Sequence, residues 1–123
     1  SGYVVLRAAA GDVQLIFDHG PLGMPPGCGH GHADALAVLL RRGARWLLAD
    51  SGTFAYGADA TTRAYFRGTL AHNTVRIDGQ DQAVQTGPFL WRAPFQGGPC
   101  VVREFPDAVV LVAVSDAYAR LGV

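Results

Sequence analysis

Gly27-Cys-Gly-His-Gly-His-Ala-Asp34 opens a stretch that runs on through Ala35-Leu-Ala-Val-Leu-Leu40 and Trp46-Leu-Leu-Ala49, and closes on Asp50-Ser-Gly-Thr-Phe-Ala-Tyr-Gly57. How its apolar centre is read decides the fold. Alanine and leucine favour a helix locally. The segment from Ala33 to Arg42 is short for one, however, and Gly43 with Trp46-Leu47-Leu48 beyond it reads as two strands joined by a turn. We read a hairpin with arms Leu36 to Leu40 and Trp46 to Ala49. Both arms are almost continuously apolar, which predicts strands covered on both faces.

Working outward, Tyr3 to Arg7 and Val13 to Phe17 are β-branched and aromatic, and Gly11-Asp12 between them is a turn signal, so the chain opens on a hairpin. Glycine and proline fill Gly20 to Gly31, which excludes regular structure there. On the other side, Ala60 to Arg67 reads as a short helix that Thr61 or Thr62 can cap and Gly68 can stop. His72 to Ile77 alternates toward a strand, with Asp78-Gly79 as a hairpin-type turn. Gln80 to Thr86 is polar. Phe89 to Phe95 carries Pro88 and Pro94 at its borders and is an edge strand or irregular. Val101 to Glu104 and Ala108 to Val114 are strands around Pro106-Asp107. The expected fold is all-β, an antiparallel sandwich with one short helix, in a single partial domain over residues 1–123.

Composition narrows the function classes. Ten arginines balance ten acids and there is no lysine, so an electrostatically driven nucleic-acid partner is not expected. Arg41, Arg42 and Arg45 form the one tight basic group and read as a solvated turn. No apolar run approaches the ~20 residues of a membrane span. Both ends read as cut from something longer, so compartment is not legible. Cys28 and Cys100 make no disulfide framework. Cys28 is close enough to the histidines to be a zinc ligand in principle, but a small buried residue in a glycine-rich loop is the plainer reading.

Chemistry concentrates in a few residues. His30 and His32 stand two apart, a spacing that turns two side chains to one side of an extended segment. Asp50 and His72 sit where apolar runs meet polar loops. Two imidazoles and a carboxylate suit zinc with one position left for water; alternatively Asp50 is a turn residue and His72 a half-buried strand histidine. Tyr56, Tyr65 and Arg67 form a second set. A phenol can shuttle a proton and a guanidinium can clamp a carboxylate, although tyrosines at such spacing also serve as packing. Asp34 and Asp59 read as solvated or capping. Dinucleotide, phosphate-loop and nucleophile-elbow patterns do not occur.

Four ordered motifs go beyond any one of these signals: Gly-His-Gly-His-Ala-Asp-Ala-Leu, Asp-Ser-Gly-Thr-Phe-Ala-Tyr, Tyr-Phe-Arg-Gly-Thr-Leu-Ala-His-Asn-Thr-Val and Asp-Gly-Gln-Asp-Gln. Together they resemble the heparinase II/III-like polysaccharide lyases, which include alginate and oligoalginate lyases. The resemblance implies a sandwich region that works with an N-terminal helical toroid, and this chain resembles the first part of that sandwich alone. It implies that His32, Asp50 and His72 are zinc ligands, with the zinc structural, and that Cys28 is not one. It implies that His30 lies in the catalytic cleft, that Tyr56 or Tyr65 is a cleft tyrosine and that Arg67 faces the cleft. The implied reaction is β-elimination on an acidic, uronic-acid polysaccharide by a periplasmic or secreted enzyme, with the isolated part inactive. A glycan- or partner-binding sandwich and, below it, a zinc hydrolase are the alternatives. A homodimer through exposed sheet edges is a further possible association.

Overall fold

A computed structural model of the chain describes residues 2–8 and 10–123. Four strands form one antiparallel sheet in chain order: β1 (Tyr3–Arg7), β2 (Val13–Asp18), β3 (Val38–Arg42) and β4 (Arg45–Leu48). One helix follows, α1 (Ala60–Arg67). Two further antiparallel pairs complete the described strands: β5 (Val84–Gly87) with β6 (Leu90–Arg92), and β7 (Cys100–Glu104) with β8 (Val109–Ala113). The architecture is therefore all-β, the antiparallel sheets of a sandwich with one short helix. No helix among the described residues is long and apolar enough to cross a membrane.

The central hairpin exists, but its arms are displaced from Leu36–Leu40 and Trp46–Ala49. Leu36 adopts φ +61 within a turn, so β3 cannot begin before Val38, which pairs with Phe17. Arg42 pairs with Arg45, leaving Gly43-Ala44 as the connection, and Gly43 takes the φ of +55 that such a tight turn requires. The expectation of strands covered on both faces fails for β4. It is the edge of the sheet, and each of its residues, Trp46 and Leu47 included, is exposed.

Two local expectations change for a physical reason. The cap of α1 is Asp59 and neither Thr61 nor Thr62: its Oδ1 accepts the N–H of Thr61 and of Thr62, each at 3.0 Å. A carboxylate one position earlier reaches both free N–H groups, and threonine inside the first turn cannot. Gly68 ends the helix as expected. His72 to Ile77 is not a strand. A short 3-10 turn over Thr69–Ala71 precedes it, and its one ladder contact is the bridge of Ile77 with Gln80 around Asp78-Gly79. Those two residues have φ +50 and +68, the tight hairpin turn their sequence suggests.

The core lies beneath the glycine-rich loop. Leu22, Cys28, Ala33, Ala35, Trp91 and Phe95 are among its members. Cys28 is 4% exposed, a free thiol filling core space. Long side chains tie this loop to the rest of the chain. Buried Gln82 grips Ala35 on both sides: Oε1 accepts the Ala35 N–H at 2.7 Å and Nε2 donates to the Ala35 carbonyl at 3.1 Å. Trp91 Nε1 donates to the Gly31 carbonyl at 3.1 Å. The Ala33 N–H donates to the Arg67 carbonyl at 2.9 Å, joining the loop to the end of α1. Gly31 also runs against Gly23 so closely that a Cβ would meet the Gly23 Cα at 2.8 Å.

Candidate metal centre and adjoining cleft

From Gly31 to Ala37 burial alternates. The odd-numbered residues are buried, and His32 and Asp34 share the half-buried side. The 3-10 turn after α1 delivers His72 against them, with its side chain 0% exposed. The His32 and His72 rings lie 5.1 Å apart. One ligand atom each from His32, Asp34 and His72 falls within 4.8 Å of the others. Asp50, two residues beyond β4, holds His72 through Oδ2, which accepts from Nδ1 at 2.6 Å; its Oδ1 accepts the Gly52 N–H at 2.7 Å.

Burial and charge set the protonation of this group. Burial, helped by the charge of His72, pushes the His32 pKa down to about 4. Burial pushes the Asp34 carboxyl up to about 7 against the pull of His72. Burial opposes protonation of His72 too, but the hydrogen bond and charge of Asp50 outweigh it and its pKa rises. Burial raises Asp50 as well, yet the bonds from His72 and the Gly52 N–H prevail and hold it below the usual carboxylate range. The lowered pKa keeps His32 neutral, the form in which an imidazole can ligate a metal. His72 Nε2 is buried with no hydrogen-bond partner among the described residues, an orphan that calls for an explanation. Two imidazoles and two carboxylates fit a dication such as zinc, with any donor outside the four-coordinate shell able to orient a ligand histidine.

A second group adjoins the first. His30 takes φ +65, so it leaves the alternating segment and its ring does not follow that of His32. The H-x-H spacing therefore sends its rings to different neighbours. His30 packs edge-on to Tyr56, with ring centres 5.7 Å apart and Tyr56 Oη 3.4 Å from Nδ1, and tilts against Phe89 at 5.6 Å. His30, His32 and Asp34 all border one cavity of about 350 Å³. Tyr56 and Phe89 border another of about 490 Å³, together with Arg63 and Arg67.

Residues 1–123 match the family described as heparinase II/III-like, C-terminal. The chain belongs to the heparinase II/III-like family. Comparison with curated proteins and with solved structures gives no match.

Within this heparinase II/III-like domain the sequence-derived residues divide. His32 and His72 meet, Asp50 bonds His72, and His30 meets Tyr56. Tyr65 stays apart from them: it is half exposed and packs edge-on to Phe66. Arg67 is fully buried, donates from Nη1 to the Gly87 carbonyl at 2.9 Å and lies over the Trp91 ring at 4.6 Å. Sequence reasoning read Asp34 as solvated or capping, whereas it is half-buried in the His32–His72 group, and it passed over Arg63 and Phe89. The period-two rule applied to the two histidines extends to Asp34 at the next step, and Arg63 precedes Arg67 by one helical turn. Nothing in the sequence marked Phe89.

Proposed function

We propose that this chain is the zinc-bearing sandwich part of a polysaccharide lyase that cleaves uronic-acid polysaccharide by β-elimination, in the periplasm or outside the cell, in concert with a helical toroid. The contact of His30 with Tyr56 beside the His32–Asp34–His72 group carries the reading, in a chain of this family. In the proposed reaction a base takes the proton from C5, the C4–C5 double bond forms, and the C4–oxygen bond breaks. The electron pair leaves on the glycosidic oxygen, which takes up a proton. An imidazole and a phenol in contact can accept the first proton and return the second. A guanidinium close to the sugar carboxylate lowers the cost of charge at C5.

Zinc, held by His32, Asp34 and His72 while Asp50, the carboxylate the sequence suggested as ligand, orients His72 through Nδ1, would supply a clamp between the histidine loop and the segment after α1. His30 sits on that loop two residues from His32, so the clamp would fix where its ring stands.

Incubation of the full-length protein with candidate uronans, read by ultraviolet absorbance of unsaturated sugar, tests the reaction. Unsaturated product is expected. Tyr56→Phe and His30→Ala are each expected to slow it at least ~100-fold, as loss of a proton-transfer group does. Product without unsaturation means hydrolysis, and binding without product means a glycan-binding module; either result ends the lyase reading.

A further inference from the structure

Arg63 and Arg67 are adjacent on one face of α1, and both are buried, at 4% and 0% exposure. Neither has an acidic partner among the described residues. The ion pairs found there are Arg42 with Asp12, Arg76 with Asp81 and His72 with Asp50. The partners of the two guanidiniums are neutral. Arg63 donates from Nε to the Pro88 carbonyl at 3.1 Å and from Nη1 to Thr53 Oγ1 at 3.0 Å. Arg67 donates from Nη1 to the Gly87 carbonyl and, at 3.5 Å, to Gln85 Oε1, and its Nε and Nη2 have no hydrogen-bond partner among the described residues. Burial, and then the neighbouring charge of Arg63, lowers the pKa of Arg67.

Two buried like charges without a counter-ion are costly, and proteins retain such groups when something pairs with them. Both arginines line the cavity of about 490 Å³, a volume in the range of small-molecule sites. The rest of its wall is largely apolar. Arg63 lies 5.0 Å from the centre of the Tyr56 ring and 4.6 Å from that of Phe89. Those two rings are near-parallel, at 23° and 6.2 Å, and each keeps an exposed face. The cavity thus offers positive charge beneath aromatic surface. That combination suits a ring-sized body with apolar C–H faces and one anionic substituent.

We infer that this cavity is a subsite for one uronate residue, its carboxylate paired with the Arg63–Arg67 pair and its ring laid on Tyr56 and Phe89. The sugar part of the assignment rests on the lyase reading; the anion part stands on the unpaired arginines alone. The subsite touches the proposed reaction centre at Tyr56, which faces both His30 and the cavity. A residue bound there would hold its chain across the His30–Tyr56 pair.

The test is binding, and turnover is not needed for it. Saturation-transfer NMR on the full-length protein compares glucuronate and glucose at matched ionic strength, with inorganic sulfate added as a competitor of glucuronate. Glucuronate is expected to bind and glucose not to. Arg63→Gln, with its melting temperature checked, is expected to raise the Kd for glucuronate at least tenfold, about 1.4 kcal/mol. Phe89→Ala, a change at a partly exposed ring, is expected to weaken glucuronate several-fold if Arg63→Gln does not fold. Equal binding of glucose and glucuronate, no binding of either, or an unchanged Kd in folded Arg63→Gln overturns the subsite. Displacement of glucuronate by an equal concentration of sulfate overturns the sugar assignment. A protein that binds glucuronate through Arg63 yet releases no unsaturated sugar refutes the lyase reading and keeps the subsite. Turnover with unchanged KM in Arg63→Gln does the reverse.

Discussion

His72 shows how much one side chain can gather. It is buried, bonded to Asp50 through one nitrogen, unpartnered at the other, and 5.1 Å from His32. If zinc is held as proposed, purified wild-type protein is expected to contain it and His32→Ala and His72→Ala each to lose it. Metal analysis that finds full occupancy in either variant removes it as a ligand. Asp34→Asn and Asp50→Asn separate two roles: the carboxylate that binds the ion loses it on substitution, whereas one that orients a ligand histidine costs ~10–100-fold in affinity. The family resemblance pointed to His32, Asp50 and His72, and not to Asp34, because an aspartate between two alanines also reads as solvent-facing. The opposite error befell His30. Its spacing suggested one face with His32, but a left-handed backbone at a non-glycine residue leaves no mark in the sequence.

At the level of elements, the span of α1 was readable because its stop signal at Gly68 is local, although its cap proved to be Asp59. The segment from His72 to Ile77 was not. Alternation alone does not make a strand when the nearest partner, Val38, takes only one bond from it, its N–H donating to the Asn73 carbonyl at 3.1 Å. What holds the histidine loop is equally hidden, since Gln82 and Trp91 come from far along the chain. Gln82→Leu leaves the Ala35 N–H without its buried acceptor and is expected to cost about 1–3 kcal/mol in denaturant unfolding. Wild-type stability in that variant shows that Ala35 finds another partner. Gly31→Ala drives a Cβ into the Gly23 backbone. We expect a loss of about 1–3 kcal/mol and lower metal occupancy. Gly57→Ala, where an added Cβ meets nothing, is the control and is expected to stay within about 0.5 kcal/mol. Equal effects at the two glycines refute the close-approach argument.

Across the whole molecule, the all-β class followed from short strands spaced by turn residues, whereas coverage of the sheet did not. An apolar strand looks the same in sequence whether something lies over it or, like β4, it stands at an edge. With a loop this irregular, much of the fold's order is expected to come from the ion. Chelator is expected to lower the melting temperature, and zinc at 100 times its Kd to restore about 2.7 kcal/mol. A melting temperature indifferent to chelator, with metal shown to be removed, excludes the clamp.

Arg67 belongs to two places at once. It borders the cavity, and its carbonyl receives the N–H of Ala33, the residue between His32 and Asp34. A ligand that tugs the head of this residue pulls, through a single peptide unit, on the proposed zinc site. Occupancy of the two sites is then reciprocal: whatever factor zinc applies to uronate affinity, uronate must apply to zinc. Titrating each in the presence and absence of the other would measure that factor.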